Sequence, residues 1–280
     1  MMRVVGLGLR RGLIELRQSM SSGTDLFGYF LPAFFLVIAL IWMRDSTIPG
    51  TTFGLGAHSL VGSVAMLIVI SGFMTMMQYL TMDREDGTLL RAKATPNGMT
   101  GYLIGKIVLV AGVAVVSCLF VVVPGLFLVD GLTVGADGVL VLLWLVPLAF
   151  LATMPLGAVL GALFENPRQA SLMMLPIIGL TVVSGIFYPV TALAGWVQGV
   201  AQVFPVYWLG LGLRSAFLPD ALAAAEIGGS WRHPQTAGVL VAWSVAGLVL
   251  APGILRRMAR RESGSAVAAR RERAMTRMTV

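Results

Sequence analysis

The densest run of carboxylates in this sequence opens the segment Thr81-Met82-Asp83-Arg84-Glu85-Asp86-Gly87-Thr88-Leu89-Leu90-Arg91-Ala92-Lys93-Ala94-Thr95-Pro96. Three carboxylates within four residues could serve acid–base chemistry or, with further ligands, a hard cation. No histidine accompanies them, and their order suggests another use. Acids first, bases last and a proline stop complement a helix dipole, so a short surface helix fits this segment. His58 and His233 stand far apart at the ends of apolar stretches, and Cys118 lies alone in a valine-rich run. No Cys–His or His–His spacing of a protein metal site is present, and one cysteine builds no disulfide framework. The string nearest to a phosphate-binding loop is Gly101-Tyr102-Leu103-Ile104-Gly105-Lys106-Ile107. It has three residues between its glycines instead of four, and it lacks a hydroxyl residue after the lysine. With no strand before it and an apolar helix after it, it is not a nucleotide site.

The elements that must position these residues are membrane helices. Of 280 residues, 57% are hydrophobic and only 12% charged, and the mean hydropathy is +0.87. A soluble domain carries about twice that charged fraction. A helix needs about 20 apolar residues to cross the hydrocarbon core, and a central charge costs about 2.5–3.5 kcal/mol. Runs free of charge predict six spans, at about 26–43, 58–80, 105–129, 138–164, 169–188 and 236–255. The fold expected is an all-α polytopic membrane protein, residues 1–280 forming a single transmembrane domain. No ionisable residue falls deep inside a predicted span, unlike proton- or sodium-coupled transporters.

Residues 4–20 place Leu9, Leu13, Leu16 and Met20 along one helix face, with Arg11, Glu15 and Gln18 on the other. That pattern predicts an interfacial helix and not a cleaved leader. An even span count puts seventeen of the twenty basic residues on the side of both termini. The positive-inside rule makes that side cytoplasmic and the protein a multi-pass component of the cell membrane. Eight arginines crowd into the tail 256–280, directly after an apolar stretch. They predict contact with anionic headgroups of membrane lipids, not with nucleic acid. Residues 189–225 read as an extracellular, partly re-entrant helical hairpin. Pro189 and Pro205 bound a helix of about 21 Å, too short to cross, and Arg214 is expected to snorkel at the outer interface.

The 83–96 string resembles the E-R-E-x-G-T-x-x-x-L-x-x-T-P signature of type-2 ABC exporter permeases, the group that includes daunorubicin-resistance-type drug exporters. Arg84, Glu85, Gly87, Thr88, Thr95 and Pro96 match, as does the Gly105-Lys106 step. Asp83 replaces the usual glutamate, and Arg91 and Lys93 stand near a common leucine. A second series also resembles the family: Asn166-Pro167-Arg168-Gln169-Ala170, Ser184-Gly185-Ile186-Phe187-Tyr188-Pro189, Trp196-Val197-Gln198, Pro205 and Arg214. The resemblance covers most of residues 80–215.

It implies that residues 81–97 form the cytoplasmic coupling loop that docks on a separate ABC ATPase, with Asp83, Arg84, Glu85, Gly87, Thr88, Arg91, Thr95, Pro96, Asn166 and Arg168 at the contact. The chain itself would need no cofactor. ATP and magnesium would be bound by the ATPase, present in two copies, and a second permease chain, identical or homologous, would complete the pathway. By the same resemblance Met66, Phe73, Met77, Met173, Ile177 and Thr181 would line the path, and Phe187, Tyr188 and Pro189 the outer gate. An amphipathic drug or lipid-like cargo is expected. The alternatives are a non-transporting membrane anchor or regulator of an ATPase, and a lipid-modifying enzyme acting through Asp83–Asp86.

Overall fold

A computed structural model describes residues 2–46, 54–164 and 167–261. Among these the chain is helical throughout. Helix α1 (Met2–Ser21) is followed by α2 (Gly23–Met43), α3 (Leu55–Glu85), α4 (Thr88–Lys93), α5 (Gly98–Leu128) and α6 (Ala136–Leu163). Then come α7 (Arg168–Val183), α8 (Gly195–Val203), α9 (Pro205–Phe217) and α10 (His233–Arg261). Five of them, α2, α3, α5, α6 and α10, are long and apolar enough to cross a membrane.

The fifth expected span, 169–188, corresponds to α7, which stops at Val183. A turn through Ser184 and Gly185, with φ +62° at Gly185, ends it. At 1.5 Å per residue it reaches about 24 Å, short of the hydrocarbon thickness.

Helix α3 is the centre of the bundle and the most enclosed of the five spanning helices, whereas α2 keeps a broad apolar face of Phe27, Phe34, Phe35 and Trp42 uncovered. Hydrocarbon, unlike water, does not drive helices together, so close backbone approach has to supply the packing. Two small-residue steps do so here. In α6, a Cβ on Gly157 would sit 2.3 Å from the Gly72 carbonyl oxygen of α3. In α1, a Cβ on Gly12 would sit 2.5 Å from the Gly105 carbonyl oxygen of α5. Gly8 and Gly12 thus pack on Gly101 and Gly105, and the string excluded above as a phosphate loop is a helix-packing surface. Leu9 and Leu13 of α1 remain exposed, on the face free to enter lipid.

Within α3, residues Ser71–Thr75 form a π turn against Thr153 and Gly157 of α6. Such turns displace side chains from the regular helical register. Helix α9 is buried along nearly its whole length against α3, α6 and α10, so the hairpin folds back into the bundle.

Candidate functional site

The acidic string does not form one helix. Helix α3 runs on through Glu85, and Gly87, at φ +79°, breaks it in a left-handed turn. Only Thr88–Lys93 make α4, where the Asp86 carboxylate accepts a hydrogen bond from the Thr88 amide at 2.8 Å. Asp83 and Glu85 therefore occupy the last turn of α3, where a helix dipole disfavours anions. Lys106 compensates the charge of Asp83. Arg84 donates to the Phe164 carbonyl beyond the end of α6 at 2.7 Å, fastening α3 to that helix.

Asp83 turns inward and is buried. Its carboxylate accepts from the Tyr102 hydroxyl at 2.7 Å and pairs with Lys106 at 2.9 Å. The Lys106 ammonium also pairs with Glu15 of α1 at 3.0 Å and lies 4.9 Å from the Tyr79 ring centroid. Glu15 in turn is held by Arg11 at 2.7 Å. Burial acts to raise the Glu15 pKa, but Arg11 and Lys106 outweigh it, and the carboxyl titrates below its ordinary 4.5. Tyr79 is hydrogen-bonded to Tyr29 of α2, and Tyr29 to Ser19, which also donates to Asp25. One polar network thus joins α1, α2, α3 and α5 beside α4. It borders an open cavity of about 760 Å³ that Thr88, Arg91 and Thr95 also line.

Around that network the remaining coupling candidates are surface groups. Arg91, Thr95, Pro96 and Arg168 are exposed, and Glu85 is half-buried. Arg91 donates to Thr88 at 3.1 Å, and Lys93 reaches the Arg260 carbonyl of α10 at 3.5 Å. Asn166 lies outside the described residues.

The path candidates divide between two cavities on either side of α7. Met66, Ile177, Thr181 and Phe187 line one of about 190 Å³ between α3 and α7. Phe73, Met173 and again Ile177 line the other, about 570 Å³, which is walled by apolar residues of α3, α6, α7, α8, α9 and α10. Met77 lines neither. It is fully buried where α3 meets Gly161 of α6, because the α6 glycine step brings the two helices too close to leave a space. Of the gate candidates, Phe187 packs on Gly62 of α3, the Tyr188 hydroxyl donates to the Val182 carbonyl at 2.5 Å, and Pro189 leads into a short 3₁₀ turn.

Arg214 does not snorkel. It is 1% exposed and pairs with Glu226 at 2.6 Å and 3.2 Å, while donating to the Gly185 carbonyl at 3.0 Å. The inward fold of α9 removes its route to water, so a buried carboxylate replaces solvent. Sequence reasoning missed both partners, Glu226 here and Glu15 at Lys106. The available signal was the same in each case, a single charge inside an apolar stretch that must find its opposite.

Among the described residues, five apolar helices long enough to span a membrane, four of them around the central α3, with ion-paired polar clusters near both ends of α3 and a short surface helix after it, define a multi-pass α-helical membrane protein. Its class is sharpened by sequence relationship: residues 16–251 match the family described as ABC-2 family transporter protein. The chain belongs to that family and is a permease component of an ABC transporter, a type-2 ABC permease. A comparison with curated proteins returned no match.

Proposed function

We propose that the chain is the pathway half of an ATP-driven exporter, with Asp83–Pro96 receiving the push of a separate ATPase. What supports this is the seating of α4. It is a short surface helix that exposes Arg91 and Lys93 and buries Leu89 and Ala92, joined by one left-handed turn to the central helix α3, and the Lys106 network ties the root of that turn to α1, α2 and α5. Force applied at Arg91, Thr95 or Arg168 passes into four helices at once, and through Arg84 into the end of α6.

In this reading the α4 end and both termini face the cytoplasm, which agrees with the distribution of basic residues. Two permease chains and two ATPase subunits form the working assembly, and the ATPases bind ATP and magnesium. Motion of α3 relative to α7 opens and closes the space between them. The apolar walls around Phe73, Met173 and Ile177 suit an amphipathic drug or lipid-like cargo, with Phe187, Tyr188 and Pro189 at the outer exit.

The test is to purify the chain from its native membrane with bound partners and reconstitute the complex in vesicles. Export predicts a co-purifying nucleotide-hydrolysing subunit, and loss of transport-stimulated ATP hydrolysis in E85Q and R84Q with the fold retained. A purified complex without such a subunit, or unchanged export by both variants, overturns the proposal.

A further inference from the structure

At the α4 end a separate cavity of about 290 Å³ opens between the α4–α5 turn and the last turns of α10. Lys93, Arg256 and Arg260 line it with the polar groups of Thr95, Asn97 and Thr100, and none of the described lining residues is acidic. The first residues of α5 border the same space, which adds the positive end of a long helix. The carbonyl end of α10 would repel an anion, but the Lys93 ammonium lies against the Arg260 carbonyl. Charge alone therefore selects an anion with several acceptor oxygens.

A second observation narrows its nature. Along α10, Val245, Val249, Arg256 and Arg260 follow at steps of four, seven and four, so they share one helix face. Val245 and Val249 are exposed, Val249 at 71%. The face is apolar where α10 crosses the membrane and becomes basic where the apolar run ends at Leu255. A soluble phosphate would use the cavity and ignore the track below it. An amphiphile would use both.

We propose that this cavity holds the phosphate headgroup of an anionic phospholipid, with an acyl chain lying along Val245 and Val249. The inference rests on α10 spanning the membrane, and not on the export reading. Because Lys93 belongs to α4 and the arginines to α10, an occupied site joins the two helices through one phosphate.

The test is native mass spectrometry of the full chain in mild detergent, titrated with phosphatidylglycerol, phosphatidylcholine or soluble glycerol phosphate. At about 1 kcal/mol per base near the surface, R256Q/R260Q is expected to weaken phosphatidylglycerol binding roughly thirtyfold, and K93Q alone about fivefold. V245S/V249S should weaken the lipid and leave any glycerol phosphate binding unchanged. R10Q/R17Q, which removes exposed arginines elsewhere on α1, should change it less than about twofold. Thermal unfolding of each variant checks the fold, and K93Q carries the test if the double arginine variant unfolds. The proposal is overturned if phosphatidylglycerol binds no better than phosphatidylcholine, or if R256Q/R260Q (or K93Q in its place) matches R10Q/R17Q. Glycerol phosphate displacing the lipid while V245S/V249S stays neutral also overturns it, by identifying a soluble anion site.

Discussion

Helix α3 ends in an ion-paired cluster on each side, and the two clusters are built differently. Near its first residues, Arg214 and Glu226 form a closed pair, twelve residues apart in sequence and sealed from water, with Gly185 as a third partner. Near its last residues, Lys106 is shared between two carboxylates from helices distant in sequence, Glu15 and Asp83, and the group borders a cavity of about 760 Å³. In the first, every charge has one arrangement and no solvent to fall back on. In the second, one cation has two anions and a ring face to choose among, beside an open cavity. A sealed pair suits an anchor, fixing the end of α7 to α9. A shared cluster beside an open cavity suits a joint that must change under load.

That contrast can be broken most forcefully at Arg214. R214M leaves Glu226 buried without a counter-charge, and the cost should be about 3–5 kcal/mol. Thermal unfolding in detergent should record a large loss, with most of it recovered in R214M/E226L. If R214M unfolds like the wild-type protein, the pair is no anchor.

K106M should cost less, about 3 kcal/mol at most, because Glu15 keeps Arg11, Asp83 keeps the Tyr102 hydroxyl, and the adjacent cavity is open. The joint predicts that its effect on ATP hydrolysis by the assembled transporter exceeds its effect on stability. An equal fall in both would make Lys106 an anchor like Arg214.

A smaller effect is expected at the seat of α1. G12A places a methyl against the Gly105 carbonyl, and forcing the two helices apart should cost about 2 kcal/mol. Hydrogen exchange of α1 should quicken while α9 is unaffected. Faster exchange at both would show that the two ends are not separate units.

The smallest effect is that of pH. Glu15 titrates lower in the folded protein than its ordinary 4.5, so its contribution is present above that value and lost as the pH falls through the folded pKa. Loosening of α1 on acidification should amount to about 1 kcal/mol, since the carboxylate is partly exposed. It should be absent in E15Q. Retention of the full pH response by E15Q would assign it to another group.

Reading residues in order finds the properties of single segments, because each depends only on local composition. Charge-free runs located α2, α3, α5, α6 and α10 because crossing hydrocarbon demands unbroken apolar length. The family string at Arg84–Pro96 was visible for the same reason, being contiguous. The α6 glycine step Gly157–Gly161 could be recognised as a packing surface from its spacing alone.

What the sequence could not supply was the pairing of distant groups. That Asp83 turns inward to Lys106 while its neighbours stay at the surface follows from α1 docking on α5, which brings Glu15 and Arg11 alongside. That Arg214 is buried follows from α9 folding back among α3, α6 and α10, and nothing within α9 itself specifies this. The 83–96 string likewise looked like one helix by charge order, yet Gly87 divides it, and the tertiary partners of Asp83 hold its acidic half on α3. Composition and periodicity are properties of single segments, so they set which helices exist and which lie in lipid. A buried charge is stabilised only by an opposite charge that some other segment delivers, and that meeting is decided when the helices pack.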